Sequence, residues 1–310
     1  MERRYIAPSP PTDTLLSVVE TKGSHRCSIS DERLAFEAVR AVISKDLAHV
    51  GKPLATVRLV LTVEEYPNEN LYGRAGTLYL LRMVRHWAPE SISLVNPVIS
   101  ELCDRILAAA PAGKWHGRRY LGAVHGDSGI IIRLVMATPE LATRLRPILD
   151  RLLDMQLPDG NWPSAESNYS GSTAMPGLVQ FCHGAPGVVE SLLSLPPHFP
   201  ELWGKIDGAI DKGRECIRSQ GMLLKEPSLC HRLVGNALTL PPGSKRNYFL
   251  AFATPENVAN VRMSNPPGTI FVRADYGRSY STLTSYAPAA MWVWMVWREN
   301  QPTIFCYDDI

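Results

Sequence analysis

The sequence predicts an all-α fold, a ring or solenoid of helix pairs, on three observations. A turn with two glycines three apart, followed by an apolar helix, recurs along the chain. The segments between recurrences carry apolar residues at three-to-four spacing, the period of an amphipathic helix. Alternating strand patterns are almost absent, and only GTIFVRADYG (268–277) reads as extended.

Taken in order, SDERLAFEAVRAVISKDLAHV reads as one amphipathic helix, with Ser30 as N-cap and Glu32 close behind. The first copy of the turn is LYGRAGTLYLLRMV, with Gly73 and Gly76. NPVISELCDRILAAA follows as a helix that places Pro97 in its first turn, after Asn96. The second copy, GAVHGDSGIIIRLVMA, has Gly126 and Gly129, and PELATRLRPILDRLLDMQL follows it. DGNWPS (159–164) reads as a turn. The third copy, CHGAPGVVESLLSL, has Gly184 and Gly187, and KIDGAIDKGRECIRSQG follows. In the fourth, CHRLVGNALTL, Arg232 replaces the first glycine and Gly235 keeps the second, and Pro241-Pro242 interrupt its helix early. A worn fifth copy is TSYAPAAMWVWMVW, with Ser285 and Pro288 in the glycine slots and Trp292, Trp294 and Trp297 reading as core. Intervals of roughly fifty residues suit one helix pair per repeat. Glycines at the helix starts permit close backbone approach. A ring of such pairs would gather residues 69–76, 125, 182–183 and 230–231 at one mouth.

Composition narrows the class. Hydrophobic residues at 45% and charged residues at 20% fit a packed globular chain. A net charge of +2 without a long basic block excludes the electrostatic signature of a nucleic-acid binder. No run approaches the ~18 apolar residues of a membrane span, and YAPAAMWVWMVW is too short. Peripheral membrane contact stays open. The start, MERRYIAPSPPTD, has no apolar signal region, so a reducing, cytoplasmic setting is expected. There the six cysteines would be free, metal-bound or catalytic. Cys103 and Cys216 lie within helical patterns and read as small buried hydrophobes.

Cys182 and Cys230 differ, because each stands beside a histidine at a helix start. Cys182, Cys230 and His231 supply the thiolate and imidazole donors of a three-ligand zinc site with an open fourth position. His183 is then left for a supporting or acid–base role. Buried free thiols remain the competing reading of the same residues.

The motifs LYGRAGTLYLL, GAVHGDSG, DGNWPSAES, FCHGAPGV and LLKEPSLCH with GNA, in that order and spacing over residues 71–240, resemble the lanthionine synthetase C-like family of the eukaryotic type. The resemblance implies a single α/α-toroid domain over residues 1–310, with 1–30 poorly ordered and a degenerate last repeat at 270–300. It implies a zinc ion at the mouth on Cys182, Cys230 and His231. It further implies thiol addition, with glutathione as donor, to dehydroalanine or dehydrobutyrine in peptides or proteins, forming a thioether. His125 matches the family's catalytic histidine, Glu69 an acidic position before the first turn, and Lys225 and Arg273 glutathione-contacting cations. A cation pair suits the two carboxylates of glutathione.

Three departures accompany the resemblance. The family's ring has seven helix pairs, and no glycine-rich copy precedes residue 71, so either GKPLATVRLVLTVEEYPNEN covers for missing helices or the ring is incomplete. Arg232 stands where the family has glycine. The last repeat has lost both glycines. Two functions therefore compete with turnover: a zinc- and glutathione-binding scaffold, and a glycoside-processing toroid enzyme using the pair Glu69 and Asp127.

Overall fold

Each copy of the glycine turn starts a buried helix, and the segment after it returns as a helix on the outside. The computed structural model describes residues 26–109, 116–169, 177–222, 225–231, 233–271, 281–308 and 310. The turn-led helices are α3 (Arg74–Trp87), α5 (Asp127–Ala137), α7 (Ala185–Leu193), α9 (Leu233–Leu238) and α12 (Tyr286–Val296). The returning helices are α4 (Ile92–Ala108), α6 (Ala142–Asp154), α8 (Trp203–Gln220) and the pair α10 (Ser244–Phe252) and α11 (Pro255–Met263). One pair, α1 (Glu32–Ser44) and α2 (Leu47–Thr62), precedes them all. Ten of the eleven residues of α5 are buried against six of the eighteen of α8, which separates an inner row from an outer one. The inner helices pack in sequence, α1 on α3, α3 on α5 and α5 on α7, and α9 packs on α12. Among the described residues there is no strand, and isolated bridges include those at Tyr120 and between Gln180 and His183. This is the all-α ring of helix pairs that the repeat predicts.

The second glycine of each turn has one steric reason. A Cβ built on Gly76 would stand 2.0 Å from the Asn70 carbonyl oxygen, on Gly129 2.0 Å from that of Ala123, on Gly187 1.9 Å from that of Phe181, and on Gly235 2.0 Å from that of Leu229. In every case the oxygen lies six residues back. The incoming loop is thus laid across the first turn of its helix at a distance no side chain permits. Gly184 adds a positive φ of 99° at the N-cap of α7.

The loops are also tied to one another around the mouth. Cys27 N–H donates to Tyr72 O at 2.9 Å, Asn70 to Val124 at 2.9 Å, Cys182 to Cys230 at 3.4 Å, and Cys230 to Leu283 at 2.8 Å. Backbone groups left open at the helix starts are satisfied between repeats.

Several sequence readings change at their boundaries. Asp31, not Ser30, caps α1, its side chain accepting from Leu34 N–H at 2.9 Å. The single helix expected over 30–50 is two helices. Lys45 turns left-handed at φ 53°, and Asp46 caps α2 by accepting from Ala48 N–H at 2.9 Å. Asp is favoured at such a start for this bond. The outer helix α4 begins at Ile92 rather than behind Asn96, so Pro97 lies inside it and removes one ladder bond. Its start is set by a 3₁₀ turn at Pro89–Ser91, and the same Pro-Glu turn leads into α6 at Pro139–Leu141 and α8 at Pro200–Leu202. That second recurrent signal, a Pro-Glu pair opening each of these outer helices, is in the sequence and was not part of the glycine pattern. The extended reading of 268–277 falls mostly outside the described residues, and so does the segment 1–25. Residues 27 and 28 are packed, with Thr77 Oγ1 donating to the Cys27 carbonyl.

Both end helices of the described row expose apolar residues. On α1, Phe36, Val39 and Ile43 form an exposed apolar stripe, and on α12 Met291 and Met295 are 70% and 74% exposed. Trp294, read as core, is 38% exposed, because α12 has a neighbour in α9 and none of the described helices beyond it. The far end of the chain instead crosses the interior. Arg133 of α5 donates to Asn70 Oδ1 at 2.8 Å and to the carbonyls of Tyr307 and Cys306, and its guanidinium lies between the rings of Tyr79 and Tyr307. Tyr307 also meets Phe181 edge to face at 4.9 Å. The C-terminal residues thereby link α3, α5 and α7 below the mouth.

An alanine test separates the two kinds of glycine. Gly208, in the exposed middle of α8, has nothing within 4 Å of its added Cβ, so Gly208→Ala should raise the unfolding free energy by about 0.5–1 kcal/mol. Gly129→Ala and Gly187→Ala should lower it by about 1–3 kcal/mol despite the same gain in helix propensity. Chemical denaturation reads both, and stabilisation at all three sites would remove the carbonyl contact as a constraint.

Candidate metal centre

The repeat register decides which side chains meet. Counting back from the second glycine of each turn, the fifth position holds Leu71, Val124, Cys182 and Cys230, and the fourth holds Tyr72, His125, His183 and His231. The loops are laid down alike, so equivalent positions point to a common mouth. Tyr72 stacks on His125 at 5.8 Å, and His125 lies 5.8 Å from His183. Thiols follow in the third and fourth repeats, where Cys182, Cys230 and His231 bring their ligand atoms within 4.8 Å of one another.

That donor set suits zinc. Two sulfurs and one imidazole nitrogen match its preferences, and tetrahedral ligands at ~2.3 Å from the ion lie a little under 4 Å apart. The Cys230 Sγ to His231 Nε2 separation is 3.8 Å. Both cysteines are buried and both reach the site from loops that the glycines fix. Burial opposes charge on Cys182, but hydrogen bonding with Cys230 and His231 and the nearby imidazoles outweigh it and hold its thiol well below the usual range. The hydrogen bond to Cys182, with burial added, holds the Cys230 thiol well above it. A metal bound to both sulfurs would displace any proton the pair holds. The other buried thiols are poorer donors: burial pushes Cys27 and Cys216 up to about 12 and Cys103 to about 11.

The predicted catalytic residues also meet. Glu69 is buried, its carboxylate accepting from Leu71 N–H at 3.0 Å, from Tyr72 N–H, and from His125 Nδ1 at 2.6 Å. Nδ1 is the ring nitrogen turned to Glu69, and Glu69 is held by His125 and by its own loop. His183 sits between His125 and Cys182, and burial lowers its affinity for a proton, as does the neighbouring His125, against the pull of Cys182. Lys225 is exposed, and its charge reaches Cys230. Arg273 and Arg232 lie outside the described residues.

Three neighbours were not singled out in the sequence. Tyr120 lies 5.4 Å from His183 and 6.3 Å from His125. Gln180, two before Cys182, contacts its sulfur. Arg119 pairs with Asp127 at 2.7 Å and with Glu166 at 3.4 Å. No motif marks Tyr120 or Arg119, but Gln180 could have been suspected from its place beside Cys-His. Arg119 also corrects the glycoside alternative. Asp127 is committed to the guanidinium and Glu69 to His125, so neither carboxyl is available to face the other across a sugar.

Comparison with known proteins agrees with this architecture. The family described as lanthionine synthetase C-like protein matches residues 32–241, the span from α1 to just past α9. The chain belongs to the lanthionine synthetase C-like family. Because the match begins at residue 32, the helix pair α1–α2, which has no glycine turn, is part of the family's ring. A protein of Danio rerio named glutathione S-transferase LANCL1 is 30% identical over 191 residues, covering 55% of this chain and 45% of that protein. The LanC-like protein GCL1 of Arabidopsis thaliana is 28% identical over 181 residues, covering 54% and 40%. The chain therefore spans under half the length of these curated relatives.

The Arg119–Asp127 pair yields a stability test. Burial, opposed by Arg119, raises the Asp127 carboxyl to about 6. Between its ordinary value near ~4 and that value the folded state holds a proton the unfolded state has lost, so this group's contribution to stability falls as pH rises through the window. Asp127→Asn should remove that slope. Arg119→Met leaves a buried carboxylate unpaired and should lose about 3–5 kcal/mol at neutral pH, most of it recovered when Asp127→Asn is added. Urea unfolding against pH checks both.

Proposed function

We propose that this lanthionine synthetase C-like chain binds zinc through Cys182, Cys230 and His231 and adds a thiol, glutathione first among them, to dehydroalanine or dehydrobutyrine residues in peptides or proteins. The observation that carries the reading is the convergence of three ligand atoms within 4.8 Å beside an imidazole held by a buried carboxylate. Zinc bound there would supply a lowered thiol pKa at its open position. The chain's own groups account for the rest. As sulfur bonds to the β-carbon, the double-bond electrons move onto the α-carbon and its carbonyl, and that carbon must then take a proton. His125 Nε2 is the donor, oriented through Nδ1 by Glu69. His183 and Tyr120 line the same mouth and can hydrogen-bond the developing enolate. Lys225 and Arg273 supply the cations for the carboxylates of glutathione. The name of the zebrafish relative supports glutathione as the thiol, and the setting proposed is cytoplasmic.

Arg232 favours a second reading, a zinc- and glutathione-binding protein without turnover, since a side chain stands next to the ligand His231 where the family has glycine.

Elemental analysis comes first, on wild type beside Cys182→Ala and Cys230→Ala. One zinc per chain, lost in both variants, is the expected result. Incubation with glutathione and a dehydroalanine peptide, read by mass spectrometry, should then give the adduct, and His125→Asn should slow it by roughly 10²–10⁴-fold. Zinc and glutathione bound with no adduct would leave the scaffold. Folded wild type without zinc would falsify both.

A further inference from the structure

We infer that Gln180 is a positioning residue for the metal centre, donating its side-chain amide to the Cys182 sulfur and so setting the charge and direction of that ligand. The inference rests on the zinc reading above. Gln180 is buried at 4% exposure, and its Nε2 lies 2.9 Å from Cys182 Sγ. A sulfur bonded to a metal carries no proton and can only accept, so the amide must present its nitrogen. A buried amide N–H deprived of this partner would be left desolvated and unpaired.

The backbone around the contact is built to hold it. Gln180 N–H donates to His183 O and His183 N–H to Gln180 O, both at 3.1 Å, closing a tight loop with Phe181 and Cys182 at its tip. Cys182 N–H is meanwhile bound to Cys230 O at 3.4 Å. The loop therefore fixes the main chain of Cys182, and the amide fixes its side chain. The other ligand loop does this differently. Ser228 occupies the place of Gln180 two residues before Cys230, and its Oγ accepts from His231 N–H at 3.2 Å, serving its own backbone rather than the sulfur. The two thiolates are consequently unequal: Cys182 shares its electron density with an amide.

A hydrogen bond to a thiolate draws charge off the sulfur. A metal held there would receive less from Cys182 and would polarise a thiol in its open position more strongly. Partners of this outer kind change metal affinity by roughly 10–100-fold when removed.

The test uses the full chain as wild type, Gln180→Leu and Gln180→Glu. Leu removes the donor, and Glu keeps the shape while placing acceptor oxygens against the sulfur. Zinc affinity by chelator competition should fall about 10–100-fold in Gln180→Leu and further in Gln180→Glu. With Co²⁺ in place of zinc, the sulfur-to-metal charge-transfer band should move to lower energy in Gln180→Leu, because a thiolate without its hydrogen bond is more easily oxidised. A purely packing role would not move that band. Wild type that binds metal, with variants of unchanged affinity and spectrum, overturns the inference alone. Wild type that binds neither zinc nor cobalt overturns the zinc reading and this inference with it. Gln180→Glu serves as the variant of conserved volume should Gln180→Leu fail to fold.

Discussion

A carbonyl oxygen lying on a glycine Cα, six residues after it in the chain, is the contact on which this structure depends. It occurs at Gly76, Gly129, Gly187 and Gly235 with almost the same spacing. Any Cβ would push the loop off its helix, and the loop is what faces the mouth. The contact therefore converts a sequence repeat into a spatial one. The first glycine is close-packed too, a Cβ on Gly73, Gly126 or Gly184 falling 2.3, 2.4 or 1.9 Å from a backbone atom. The second differs in meeting the same partner, the carbonyl six residues back, in all four repeats.

Once the loops are in register, chemistry needs only the right residue types at two positions. The fifth position back carries Leu71 and Val124 in the first two repeats and thiols in the next two. The fourth carries Tyr72 and then three histidines. This arrangement divides the mouth into a half without thiols, where His125 is oriented by Glu69, and a half that can hold a metal. His183 lies on the boundary, 5.8 Å from His125 and adjacent in sequence to Cys182. A substrate thiol and the carbon it attacks would occupy these two halves. The separation matters physically, because an acid poised to protonate a carbon should not be consumed as a ligand.

The glycine turns, the inner helices and the meeting of Glu69, His125, Cys182, Cys230 and His231 were legible because they follow from one periodic constraint. The worn copy at Ser285 also starts a helix, α12, although only four of its eleven residues are buried. What was not legible depended on bonds without a period. Asp31 outcompetes Ser30 as a cap, and Lys45-Asp46 break a continuous apolar pattern into α1 and α2. The Pro-Glu turns before α4, α6 and α8 were equally periodic, but only Pro139-Glu140 was included, as part of its helix, while the other two helices were begun later, at Asn96-Pro97 and at Lys205. The exposure of Trp294 could not be read at all. Its apolar neighbours imply core, and only the absence of a further described helix beside α12 leaves it half out. The role of Arg133 was likewise invisible, since it binds carbonyls more than 170 residues away.

The worn last repeat bears directly on the metal centre. Cys230 N–H is bound to Leu283 O, and Leu283 belongs to the turn that leads into α12. The fifth repeat carries no glycine and no ligand, yet its loop closes the chain of backbone bonds that runs through Cys182 and Cys230. Ser285 and Pro288 stand in its glycine slots, and Ser285 is still the N-cap of α12. Losing the loop itself would leave Cys230 with an unpaired buried N–H and a free choice of direction. The C-terminal residues reinforce the same region from beneath, where Tyr307 packs on Phe181, the residue before Cys182. The two thiol-bearing loops are thus braced from different quarters, Cys230 by the last turn and Cys182 by the chain's end. The last repeat therefore bears on the site through the backbone of its loop and not through a glycine motif of its own.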